Sequence, residues 1–539
     1  MIFFLKKYKD QLWLLAFWVL IIFIINPLGD FSLNDDWCYG KSVKTLYDSG
    51  YLKIYNWGEM TLVGHVYWGY FFTKVFGFSF TVLRFSTLIM SFATILGIYE
   101  LCKIANLPKW MAMFSTLLCL MNPIFLSLSF SFMTDIPFCC LTIWVFFYFA
   151  KAIIDDTGKS LYWAIFFICW AFLIRQLAWV FPVVWLFTVL YVKKKNKRNL
   201  IRAITPLLVL IIFSFLFSYI MEVNGLLQDR YNSKFKLLLD TIINFDRGVF
   251  LTIFNYLLRS LSYVGFLLAP IHIFYFNRYT FKGYKISAII YTLIVTSLLL
   301  VTGNALPSLD NVWIDFGIGP TLLLDHYGNV KSTPYIKAPS LFWEVITAIG
   351  VFSSVTLIFH AKKMITSVFL KKNISPLVVL SFVFFIVYLS PFLVIGLYDR
   401  YLLPIFPIVV VFLGANYKQE PKRVFKNISL IFLGLLSLFS VLATHDYLSW
   451  NRVRWQIVNE LIAKEIPKNH IQGGGEYTAW YFFSEKDEKW WEKVKPVYSL
   501  VFHATPEDDI IKEYSYSRWF PGKSIIYLTY NESLDKELQ

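Results

Sequence analysis

Thirteen apolar stretches recur along this chain, most near the length that carries an α-helix across a bilayer, and short polar connections separate most of them. They lie near residues 12–28, 80–101, 110–128, 136–154, 161–174, 177–192, 200–221, 250–276, 286–302, 341–360, 375–397, 402–415 and 427–443. The pattern predicts an all-α polytopic membrane module over residues 1–443, with about 13 transmembrane helices. Lys6-Lys7-Tyr8-Lys9 precedes the first run and no small-x-small site follows it, which reads as a retained signal anchor. Only Arg175-Gln176 divides the fifth run from the sixth. As one helix the two would be about 48 Å long, so a hairpin is expected. Past residue 443 the pattern changes: charges become dense and no run could span a bilayer. Residues 450–466 have helical spacing, with Val453, Ile457, Leu461 and Ile462 on one face. Short β-like runs follow at 497–502 and 524–529, punctuated by Gly473-Gly474-Gly475, Pro506 and Pro521-Gly522. A small α/β domain is expected over 444–539.

Composition narrows the class. Of 539 residues, 57% are apolar, 20% aromatic and only 16% charged, against about 25% charged in soluble domains. A cytosolic enzyme, a disordered chain and a secreted disulfide scaffold are excluded. The six cysteines, mostly inside apolar runs, fit neither zinc spacing nor a disulfide framework and read as packing. The net charge of +15 would suggest nucleic acid in a soluble protein, so its location matters. From Asp446 onward there are 12 basic and 15 acidic residues, leaving 38 basic and 20 acidic among the apolar spans. The excess therefore reads as membrane topology, with no nucleic-acid partner.

Sidedness follows from parity. With a cytoplasmic N-terminus, 24 of those 38 basic residues fall on the inner side, chiefly Lys193–Arg202 and the connections near 278–285, 362–372 and 418–426, while 15 of the 20 acids fall outside. Thirteen spans put the C-terminal domain outside. A membrane setting is expected, with membrane lipids as partners.

Ionisable groups are costly in a bilayer and so carry information. Here they gather at the outer helix ends instead of mid-span: Asp35 and Asp36 in the first outer loop (about 29–79), Asp135 opening the fourth span, Arg175 in the hairpin, and Asp399-Arg400 after the eleventh. Such residues could converge on one cavity at the membrane–water boundary, which suits a substrate with a lipid tail and a polar head. Each has a plainer reading. Asn34 can cap a helix whose first turn holds Asp35 and Asp36; Thr134 or Asp135 can cap the fourth span, with Pro137 in its first turn. Arg175 can snorkel to headgroups or hold a phosphate bidentately, and Asp399-Arg400 can be a helix-end ion pair or face a phosphate. Of the histidines, His65 alone could approach the acids, and no HxxxH or HExxH spacing occurs. Gly473-Gly474-Gly475-Glu476 reads as a turn.

Taken together, Asp35-Asp36-Trp37-Cys38-Tyr39, Met133-Thr134-Asp135 and Asp399-Arg400-Tyr401-Leu402-Leu403-Pro404 resemble the motifs of membrane-embedded GT-C glycosyltransferases, in particular bacterial relatives of protein O-mannosyltransferase and of lipid A aminoarabinose transferase. The resemblance covers about 1–443. It implies transfer of a sugar from a polyprenyl-phosphate-linked donor to an envelope acceptor (lipid, glycan or protein) on the outer face, with inversion. It further implies Asp35 as the base, Asp36 and Asp135 as catalytic carboxylates that orient it, and Arg175, Arg400 and Tyr398 as binders of the lipid phosphate. Related enzymes differ in metal use; a divalent metal ion would draw on Asp36, Asp135 and His65. The alternative is a flippase or other transporter of lipid-linked sugar, which would place polar groups at mid-depth on interrupted helices.

Overall fold

The computed structural model describes residues 8–155, 158–194, 196–275, 284–309, 311–315, 340–370, 375–414, 422–502, 504, 509–519 and 525–538. Several sequence-based expectations lie outside these residues: Lys6 and Lys7, Lys195, Arg278 and Lys282, Lys371, Lys372 and Lys418 of the inner basic clusters, His326 and His503, and the turn residues Pro506, Pro521 and Gly522.

Every apolar run forms a helix. Seven helices in the described residues are long and apolar enough to cross a membrane: Phe80–Ile104, Asp135–Ile154, Lys197–Val223, Arg247–Leu267, Ser340–Phe359, Pro376–Ile395 and Arg423–Ala463. The third run is not one straight helix. Lys109–Leu120 and Pro123–Ser129 meet at 65°, and counted as one span they make an eighth. Pro123 cannot continue the preceding helix, and Asn122 restarts it by accepting a hydrogen bond from Ile124 N–H. The other runs form helices of 10–17 residues, such as Lys9–Ile25, Gly158–Phe172 and Ile405–Gly414. The described residues thus form a multi-pass helical membrane protein with a small C-terminal sheet.

One close helix contact is made through two glycines. A Cβ on Gly265 would run into the Gly350 carbonyl, and one on Gly350 into the Ser262 carbonyl, so Arg247–Leu267 and Ser340–Phe369 approach backbone to backbone.

The first outer loop contains two helices, Asp36–Ser49 and Val63–Phe76, neither of them among those spans. The start of the first is not capped by Asn34, and Thr134 and Asp135 do not cap Asp135–Ile154 through their side chains. The capping readings are therefore corrected: these polar side chains are engaged across the fold. At the other end, Arg423–Ala463 is a single 41-residue helix that continues through residues 443 and 444. Its second half carries the chain into a four-stranded sheet of β1 (Ile471–Gln472), β2 (Tyr498–Val501), β3 (Asp509–Ser515) and β4 (Ile525–Tyr530). The order is β1-β2-β4-β3, with β1 and β2 parallel and the other pairs antiparallel. β2 and β4 match the two β-like runs. β1 is too short to leave a pattern, and β3 is exposed along almost its whole length.

Candidate active site

Residue Phe132 is the hub on which the site is built. It lies in the turn between the bent helix and Asp135–Ile154. Its N–H donates to Asp36 Oδ2 at 3.0 Å, and its carbonyl bonds His65 Nε2 at 3.0 Å while its ring stacks on the His65 ring. Asp36 Oδ1 accepts from Leu33 N–H at 2.6 Å. The side chain is buried, so both of its oxygens serve to tie the first outer loop to this turn. Burial pushes the Asp36 carboxyl up to about 7, against the downward pull of those two N–H bonds. His65 is equally buried, which lowers it to about 4 and leaves it neutral. Arg84, fully buried at the start of Phe80–Ile104, donates to the carbonyls of Pro27, Gly29 and Phe31 and fixes the loop's entry.

With the loop so held, Asp35 points the other way. Its Oδ1 accepts from Trp57 Nε1 at 3.0 Å and its Oδ2 from both terminal nitrogens of Arg400 at 3.3 Å. Arg400 is nearly buried, whereas a quarter of the Asp35 side chain is open. The guanidinium sits over the rings of Tyr398 (5.4 Å) and Tyr401 (5.6 Å), so Tyr398 meets it through its ring. Burial opposes the Arg400 charge, but Asp135, Tyr401 and Asp35 more than restore it. Arg400 Nε has no hydrogen-bond partner among the described residues.

A second ion pair stands beside the first. Arg175 Nη2 lies 2.9 Å from Asp135 Oδ1, and Arg175 Nε and Nη2 donate to Thr134 Oγ1 at 3.0 and 2.6 Å. Neither Asp135 oxygen is in hydrogen-bond geometry, so this contact is ionic alone. Arg175 occupies the extended break between Gly158–Phe172 and the turn Gln176–Trp179, and its burial rules out snorkelling. Tyr39 is in the electrostatic field of Asp35, Arg400 and Arg175 together. The structure therefore brings Asp35, Asp135, Arg175, Arg400 and Tyr398 to one place, with Asp36 and His65 behind them as supports.

Asp399 belongs to neither pair. It is fully buried and accepts from Trp313 N–H at 2.6 Å and Val312 N–H at 3.1 Å, so the adjacent Asp399-Arg400 is no ion pair. Burial pushes its carboxyl, too, up to about 7.

A divalent cation does not fit the ligands expected from sequence. Among the described residues no group of three His, Cys, Asp or Glu could hold one. Asp36 is spent on two N–H groups, His65 on a carbonyl, and Asp135 already faces a guanidinium. All six cysteines are free and all but Cys169 are buried, as their placement in apolar runs suggests.

Sequence reasoning missed Arg84 and Arg454, and it read Glu476 only as part of a glycine turn. Arg84 was visible as a charge inside an apolar run; Arg454 carries no signal beyond residue type.

Residues 64–220 match the family model described as dolichyl-phosphate-mannose-protein mannosyltransferase, a range that contains His65, Asp135 and Arg175. No curated protein sequence matches the chain. Among solved structures, the chain is similar to ArnT from Cupriavidus metallidurans bound to undecaprenyl phosphate, with TM-score 0.41 and 12% identity over 98% of this chain and 99% of that one. It is also similar to the oligosaccharyltransferase AglB from Archaeoglobus fulgidus in complex with an inhibitory peptide and a dolichol-phosphate, with TM-score 0.32 and 15% identity over 78% of this chain and 57% of that one. Over residues 64–220 the chain is thus similar to this family, in keeping with the resemblance read from Met133-Thr134-Asp135.

Proposed function

We propose that this protein transfers a sugar from a polyprenyl-phosphate-linked donor to a hydroxyl of an envelope acceptor, on the outer face of a bacterial cytoplasmic membrane, with inversion at the anomeric carbon. The observation that carries the reading is the Asp35–Arg400 pair: a partly open carboxylate and a buried guanidinium 3.3 Å apart, with Arg175 and Asp135 beside them. An inverting displacement needs a base on one face of the sugar and a binder of the leaving group on the other. In this reading the sugar ring enters between Asp35 and Arg400 and parts them. Asp35 takes the acceptor hydroxyl proton, the acceptor oxygen bonds to the anomeric carbon, and the bond from that carbon to the phosphate oxygen breaks. Arg400 and Arg175 hold the departing lipid phosphate, the group on which negative charge grows. Asp135 keeps Arg175 in place, and Asp36 keeps the base-bearing loop in place. No step is routed through a metal ion.

The test is product chemistry. Purified protein given a polyprenyl-phospho-sugar and an acceptor extract should release polyprenyl phosphate and form a new glycosidic bond, both read by mass spectrometry. Movement of the intact carrier across vesicles, with no new bond, would replace this reading with transport.

A further inference from the structure

We propose that the C-terminal domain is part of the catalytic apparatus, with Glu476 as a positioning residue for Asp35; this rests on the function proposed above. Glu476, on the short helix Gly475–Phe482, lies 442 residues from the loop it touches. Its Oε1 accepts from Asn34 N–H at 3.1 Å, one residue before Asp35. Asn34 has a positive φ of 55°, a left-handed conformation that asparagine adopts more readily than other non-glycine residues. The other oxygen, Oε2, accepts from Arg454 Nη1 at 2.9 Å, and Arg454 is fully buried over the faces of Trp450 and Trp455. Glu476 is therefore clamped from the helix Arg423–Ala463 and holds the Asn34 peptide in turn.

A second set of contacts reaches Asp35 from the opposite side. Phe483 and Trp490 of the same domain pack edge-on against Trp57, at 6.1 and 6.2 Å between centroids, and Trp57 is the residue whose N–H holds Asp35 Oδ1. Glu485 accepts from Asn56 N–H at 2.9 Å and pairs with Lys53 at 3.2 Å, fixing the backbone next to Trp57. Both the peptide before Asp35 and the side chain that orients its carboxylate are thus set by residues 476–490. The domain acts as the rear wall of the base, and a displacement of about 1 Å there is enough to cost about 100-fold in rate.

The experiment compares Glu476→Ala and Glu476→Gln with wild type and with Lys536→Ala, a surface change in the domain's last helix, all as full-length folded protein judged by gel filtration and thermal melting. The amide of glutamine keeps an acceptor for Asn34 N–H but gives up the charge facing Arg454. Expected are a kcat lowered about 10- to 100-fold in Glu476→Ala with donor KM within about twofold, partial recovery of kcat in Glu476→Gln, and no change in Lys536→Ala. If Glu476→Ala does not fold, Phe483→Leu, which loosens the packing on Trp57, is read in its place with the same expected split. An unchanged kcat in the variant read, or a fall in kcat matched by equal loss of folded protein, overturns the positioning role. Asp35→Asn run alongside separates the two claims: if it abolishes transfer while Glu476→Ala does not, only this inference fails.

Discussion

Asp35→Asn is predicted to slow the chemistry while tightening the hold on the lipid phosphate. The change is nearly isosteric. The amide oxygen can still accept from Trp57 Nε1, so the loop keeps its shape, but no base remains for the acceptor proton. Loss of a general base costs about 10²–10⁴ in rate, or about 2.7–5.4 kcal/mol of barrier. Binding moves the other way. At 3.3 Å and an effective dielectric near 20, the Asp35–Arg400 attraction is about 5 kcal/mol before screening. With 26% of the Asp35 side chain open, solvent removes most of it, and pairs of this kind contribute about 1 kcal/mol. A phosphate that binds Arg400 must overcome that attraction, so removing it should tighten polyprenyl phosphate about fivefold. Single-turnover transfer gives the rate, and calorimetry with polyprenyl phosphate in detergent gives the affinity. A variant that keeps the wild-type rate, or that binds polyprenyl phosphate more weakly, refutes the reasoning that joins base and phosphate site through Arg400.

Three further outcomes follow from the same geometry. Arg175→Met leaves Asp135 buried without its counter-ion, which should cost about 3–5 kcal/mol of stability; adding Asp135→Asn should return much of the thermal stability but not activity, and equal melts for Arg175→Met and wild type would contradict the pairing. For Asp36, the folded protein binds the proton more tightly than the unfolded chain, about 7 against an ordinary 3.8. Its contribution is full below pH 4 and is lost as pH rises toward 7, at most about 4 kcal/mol, so Asp36→Asn should flatten the fall in melting temperature between pH 5 and 7.5, and an unchanged slope would count against it. Gly265→Ala places a Cβ against the Gly350 carbonyl and should destabilise the contact of Arg247–Leu267 with Ser340–Phe369 by about 1–3 kcal/mol, seen as earlier aggregation on heating; a wild-type melt would mean that the helices can move apart freely.

The helical runs were legible because a bilayer demands long apolar stretches, and each leaves a continuous signal. The bend at Pro123 was legible in principle, since proline has no N–H to carry a helix on, although Pro206 and Pro391 sit inside helices that continue past them. The site was half legible. Asp35, Asp135, Arg175 and Arg400 stood out because charge next to an apolar run is rare. Their pairing did not, because sequence favours the nearest partner: Asp399 sits beside Arg400, yet it turns to the backbone of Val312 and Trp313 while Arg400 reaches Asp35, 365 residues away. Of the two neighbouring carboxylates, the resemblance named Asp35 the base, but residue type alone does not separate it from Asp36; the Phe132 turn engages Asp36 and leaves Asp35 partly open. Glu476 lay in a stretch that reads as a glycine turn, and the peptide it holds belongs to the other end of the chain.

The resting charge of the site explains why Arg400 should stand between base and phosphate. Asp35 and Asp135 offset Arg175 and Arg400, so the four side chains sum to zero in a setting where burial penalises any surplus. In the proposed reaction a phosphodiester donor brings one negative charge, and Arg400 turns its terminal nitrogens toward it by loosening from Asp35. That leaves Asp35 with an unshared charge next to the incoming hydroxyl, which makes it a stronger base at the moment the donor is seated. When the proton moves to Asp35 the carboxylate is neutralised, and the same negative charge reappears on the departing phosphate beside Arg400. The total within the pocket stays constant through the step, so no charge need be drawn from water and little reorganisation is required. A lysine in place of Arg400 could match the charge but not span two partners with a planar fork, so Arg400→Lys should bind polyprenyl phosphate yet transfer more slowly than wild type. Full kcat in the Arg400→Lys enzyme, measured at saturating donor, would show that the guanidinium's two-sided reach is not what the reaction uses.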